Sequence, residues 1–163
     1  MTAAEEDLVA ALELHSVEGI RGALKAGVDA RISLRGKSVT TWLTEMYTRS
    51  ERFPACLREL LDYGAVLDDP AIAPVLLDDT TALKVAVARD PRFLRHRTTM
   101  VSAFTPLDDA TLLHVAAEFG HLSVAQELLQ LGLDVNARAH WMHARSHRRV
   151  CGISIQMRNC EMT

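Results

Sequence analysis

One ten-residue phrase occurs twice in this chain, as LDDTTALKVA from Leu77 to Ala86 and as LDDATLLHVA from Leu107 to Ala116, with seven of ten letters identical. Catalytic sites are assembled once, from scattered residues. A phrase that returns after about thirty residues instead marks a structural unit that stacks on copies of itself, because no single copy can bury its apolar face alone. The repeat therefore restricts the fold to an array of short supersecondary units.

The second copy opens the clearest unit, TLLHVAAEFGHLSVAQELLQLGLDVNARA. Leu113, Ala116 and Ala117 follow helical spacing, and Gly120 stops that helix. Val124, Ala125, Leu128 and Leu129 form a second stripe, closed by Gly132, the residue best suited to a left-handed helix end. Asp134 and Asn136 then suit an outward turn. This is a helical hairpin followed by a turn. Thr111, Leu113, His114, Ala116, Ala117, Gly120, His121, Leu128, Leu129, Gly132, Asp134, Val135, Asn136 and Ala137 together resemble the ankyrin repeat. The segment departs from that pattern at Leu112, where proline is usual, at Ala110, near a usual glycine, and at Leu133, where alanine is usual.

Upstream, Gly27 and Gly64 close similar apolar runs, and the separations to Gly64 and then Gly132 are 37 and 68 residues. The second gap is roughly twice the ~33-residue ankyrin period. It predicts one further unit, with Asp78 in its turn and Thr81, Leu83 and Ala86 in its first helix. Asp90 and Pro91 replace the Gly120-His121 pair there, so its second helix is expected to be displaced or shortened. The resemblance thus implies an all-α, ankyrin-like helical-hairpin solenoid of about four repeats over residues 5–139. The units fall at about 5–36, 37–77, 78–107 and 108–139.

Residues 140–163 do not resume the pattern. They carry four basic side chains, one acidic one and three histidines, whereas residues 1–139 hold 14 basic and 20 acidic side chains, a net of −6. This atypical tail is expected either to cap the last unit or to be disordered, or else to mark a shortened array. His140, His143, His147 and Cys151 are spaced three, four and four, so on a helix they would share a face with zinc-ligand chemistry. The neighbouring arginines and the missing finger spacing weaken that alternative, a metal- or nucleic-acid-binding module acting through the tail. No metal or other cofactor is expected.

A net charge of −3 over the whole chain gives no basic signature for nucleic acid. No apolar run reaches eighteen residues, and the N-terminal stretch is acidic where a signal sequence is basic. Cys56, Cys151 and Cys160 form no disulfide framework. A cytoplasmic monomer without a membrane segment is expected.

Catalytic motifs give little. His114 and Thr111 read as turn chemistry, and the pairs Asp68-Asp69, Asp78-Asp79 and Asp108-Asp109 read as helix caps rather than acid-base or calcium groups. An enzyme is not expected. The resemblance implies a protein-protein interaction scaffold whose contact surface is the concave side of first helices and turns, and alignment places Trp42, Glu45, Arg49, Asp109, Leu112, Val115 and Phe119 on that surface.

Overall fold

The computed structural model describes residues 1–104 and 107–139. They divide into two compact bodies, one of residues 1–73 with 101–104, the other of 74–100 with the described residues from 107 onward.

In the first body, α1 (Ala3–Glu13) and α2 (Val17–Lys25) form a helical hairpin. Thr2 starts α1 through a capping box with Glu5, and the Ser16 hydroxyl accepts the Gly19 amide at 3.1 Å to start α2. A short antiparallel pair, β1 (Ser33–Leu34) and β2 (Lys37–Ser38), leads to α3 (Val39–Glu45) and α4 (Phe53–Asp62). Pro54 lies in the first turn of α4, where its missing amide proton costs nothing. First helix packs on first helix, α1 on α3, and second on second, α2 on α4. Leu8, Leu12, Ile20, Leu43, Phe53, Leu57 and Leu60 are fully buried along these contacts, each worth about 1.5–3 kcal/mol of apolar burial.

The second body contains most of α5 (Ala73–Leu76), then α6 (Thr80–Arg89), an antiparallel pair of β3 (Arg97–Met100) and β4 (Leu107–Thr111), and the hairpin of α7 (Leu112–Phe119) and α8 (Leu122–Gln130). A bulge between Thr98 and Met100 shifts the β3–β4 register. The fold is therefore helix-rich but not strictly all-α, because both strand pairs are closed by backbone that the helical periodicity does not record.

Two backbone signatures recur. Helices α2, α4 and α8 each run into a left-handed glycine, Gly27, Gly64 and Gly132, at φ of 101°, 94° and 90°. In each case the next amide returns to a carbonyl five residues back, as Leu133 N–H does to Leu128 at 3.0 Å. Helices α1, α5 and α7, but not α3, end in a similar turn: His15 (φ 48°), Asp78 (φ 48°) and Gly120 (φ 72°) are left-handed, and the following amides of Ser16, Asp79 and His121 reach Ala11, Pro74 and Ala116, each at 2.9 Å.

The second signature changes the register of the third unit. Asp78 lies in the mid-hairpin turn, so α5 holds the first-helix place and α6 the second, whereas the phrase repeat predicted α6 as a first helix. Packing agrees, since α6 lies against α8, and Lys84 pairs with Glu127 at 3.0 Å between them. The boundary expected at 77/78 thus falls inside a turn. Asp90 stands where the other second helices have glycine; its φ of −143° makes no left-handed exit, and its side chain caps a 3₁₀ turn, Pro91–Arg95, through the Arg92 amide at 2.9 Å.

Candidate functional site

Of the residues expected on a contact surface, Trp42 and Glu45 are brought together on α3. The indole N–H of Trp42 donates to the Leu34 carbonyl at 2.8 Å, which fixes the half-buried ring against the β1–β2 turn. Lys37 lies 5.8 Å from the ring centroid and pairs with the Glu45 carboxylate. Polar and aromatic edges of this cluster remain accessible.

Arg49 has a different role. Its guanidinium donates to the Met46 carbonyl at 2.6 Å, to the Thr44 carbonyl at 3.3 Å and to the Ser102 hydroxyl at 2.9 Å, which ties the α3–α4 loop to segment 101–104. It also lies 5.1 Å from the Phe104 ring centroid. Arg49 is an organiser of its loop rather than an outward contact.

Asp109 is half-buried in β4, with its carboxylate 3.1 Å from Arg97. Leu112 and Val115 are completely buried and Phe119 is 8% exposed. Their expected place on the contact surface is corrected: α7 is apolar on more than one side, so residues off the small-alanine face are also enclosed. The alanine stripe itself divides, with Ala116 buried and Ala117 half-buried.

Among the described residues, the most exposed aromatic side chains were not anticipated from the sequence. Tyr47 is 77% exposed and Phe104 56%, and their rings meet edge to face with centroids 5.8 Å apart, in the first body beside Arg49. Phe104 sits in no periodic pattern, and it meets Tyr47 through a contact between segments 57 residues apart in sequence.

Polar pairs with catalytic composition are occupied structurally. The Thr111 hydroxyl and His114 Nδ1 lie 2.7 Å apart and form a reciprocal cap at the start of α7. Burial, with Arg97 nearby, holds the His114 pKa below its usual 6.5. His15 Nδ1 lies 2.8 Å from the Ser50 hydroxyl, a Ser-His pair that no motif announces. That histidine is completely buried and lies tilted against Phe53 with ring centroids 5.8 Å apart, and desolvation, then Arg49 and Arg52, lower its pKa from the usual 6.5. Ser50 also accepts the Arg52 amide at 3.2 Å, so the pair organises the turn before α4.

The aspartate pairs behave as caps and turn ligands. Asp69 and Asp79 accept the amides of Ala71 and Ala82 at 3.1 and 2.9 Å. Asp108 accepts the Thr99 hydroxyl at 2.9 Å, and Asp68 that of Thr41 at 3.2 Å. Asp78 reaches furthest: its Oδ1 accepts the Val124 amide at 2.9 Å, supplying the first turn of α8, whose own N-cap His121 makes no side-chain cap.

Cys56 is a buried free thiol with its pKa pushed up to about 11 by desolvation, which leaves it protonated and unreactive at neutral pH. Among the described residues no group of three metal-binding side chains occurs, and no helix is long and apolar enough to cross a membrane. His140, His143, His147 and Cys151 lie outside the described residues.

No curated protein sequence matches the chain. Residues 108–140, which include most of β4 with all of α7 and α8, match the family model of the ankyrin repeat, a unit that generally mediates protein-protein contact.

Proposed function

We propose that this protein is a protein-binding module, an ankyrin-like stack of about four helical hairpins that presents first helices and turns to a partner protein. The observation that carries this reading is the ankyrin match on a segment that folds as strand, turn and paired helices. Related helix-and-turn signatures in α1–α2 and α5–α6 support extending the array upstream. Trp42, Glu45 and Asp109 stay in the proposed contact set, joined by Tyr47 and Phe104, whose exposed rings have the chemistry of interface anchors. We propose a monomer, placed in the cytoplasm because the buried free thiol of Cys56 fits a reducing compartment.

Affinity capture from the native cell tests this reading. The double variant Tyr47→Ser/Phe104→Ser is expected to weaken retention of the captured partner by more than about 2 kcal/mol, with helical circular dichroism unchanged. Undiminished retention by that variant, and by Trp42→Ala, would remove this surface from the reading.

A further inference from the structure

The 3₁₀ turn that replaces the glycine exit of α6 forms one wall of a cleft whose other wall is the Gly132 exit of α8. It encloses about 470 Å³ between that turn and the end of α8, and it lies wholly within the second body. Leu94, Leu131 and Leu133 give it apolar walls, while Arg95 and Arg97 give it positive charge. The two arginines differ. Arg97 is committed to the Asp109 carbonyl at 2.6 Å and the Arg138 carbonyl at 2.9 Å, which fixes that wall. Arg95 is exposed and has no hydrogen-bond or ion-pair partner among the described residues. Asp134 is the one acidic lining residue, and its Oδ1 already accepts the Asn136 amide at 2.8 Å.

We propose that this cleft binds a short acidic-apolar peptide segment of another protein, with Arg95 meeting a carboxylate and the leucines holding an adjacent aliphatic side chain. Charge selects the occupant. Of the 14 basic residues in 1–139, four fall between Arg89 and Arg97, with Asp90 the only acid among them, so an otherwise acidic body carries one local cationic patch. The chain's own residues 140–163 have a net charge of +3 and are mismatched to it. Residues 74–100 and 107–139 have a net charge of −2, which gives a nucleic acid no general attraction, and its phosphates would leave the apolar walls unfilled. This site is independent of the aromatic pair in the first body, so either surface can fail alone.

The test is fluorescence anisotropy on the full chain with three labelled probes: an alternating Glu-Leu peptide, a Lys-Leu peptide of equal length and a single-stranded oligonucleotide. The Glu-Leu peptide is expected to bind best, to lose about tenfold in affinity with Arg95→Glu, and to weaken several-fold as salt rises from roughly 50 to 300 mM. Leu94→Ser is expected to weaken it as well, whereas Arg58→Glu, an exposed charge reversal in the first body, leaves it unchanged. Binding that ignores Arg95→Glu, equal binding of the Lys-Leu peptide, preference for the oligonucleotide, or no binding of the Glu-Leu peptide would each overturn the proposal.

Discussion

Segments 77–86 and 107–116 are nearly the same string of letters in two different structures. In the first, Asp78 makes a left-handed turn, Asp79 caps, and helix α6 begins at Thr80; in the second, the corresponding letters form strand β4, Thr111 caps, and α7 begins two letters later at Leu112. Both segments contain both potential caps, an aspartate at the third letter and a threonine at the fifth. Flanking chain decides between them. Upstream of Asp78, residues 70–76 are already helical and supply a first helix, so the phrase is left to make the turn and the second; upstream of Asp109, β3 pairs with the phrase and holds it as a strand, interrupted by Asp109 itself at a left-handed φ of 48°.

The largest difference should appear at the ninth letter, valine in both. Val115 is fully buried and Val85 is 57% exposed. Val115→Ala is expected to cost about 2 kcal/mol, from lost burial plus the cavity, and Val85→Ala less than about 0.5 kcal/mol. Equal shifts in the urea midpoint would break the comparison.

At the second letter, Asp78 caps α8 while Asp108 accepts only an exposed threonine hydroxyl. Loss of the α8 cap in Asp78→Asn, which keeps left-handed tolerance but weakens the acceptor, is expected to cost about 0.5–1 kcal/mol, against little for Asp108→Asn. Hydrogen exchange at the Val124 amide should accelerate in the first variant alone.

The eighth letter gives the smallest effect, a pH dependence. Burial lowers the His114 pKa in the fold, so below the ordinary value of 6.5 the unfolded chain takes up the proton more readily. The stability His114 contributes is therefore complete above pH 6.5 and is lost as pH falls from there through the lower folded value. His114→Gln should flatten this limb of stability against pH, while Lys84→Gln, which removes a surface ion pair with Glu127, should leave its slope unchanged.

These contrasts mark what the sequence could convey. The α7–α8 hairpin was legible because its caps, alanine stripe and glycine exits all agree, and the left-handed Gly132 follows from the residue itself. The third unit was misread by half a hairpin because a short first helix, 70–76, contains two prolines and too few turns to show a period. Site residues fared worse. Periodicity separates one face of a helix from another but does not report a neighbour on both sides, so Leu112 and Val115 passed as surface, and Arg49 gave no sign of the three carbonyls and the hydroxyl that hold it.

Asp78 also bears on which parts of the chain open together. The carboxylate that completes the first turn of α8 comes from 46 residues earlier, out of a turn held in left-handed form. Helix α8 accordingly has this cap only while the Asp78 turn is in place, so the start of α8 and the turn between α5 and α6 are coupled and should open together.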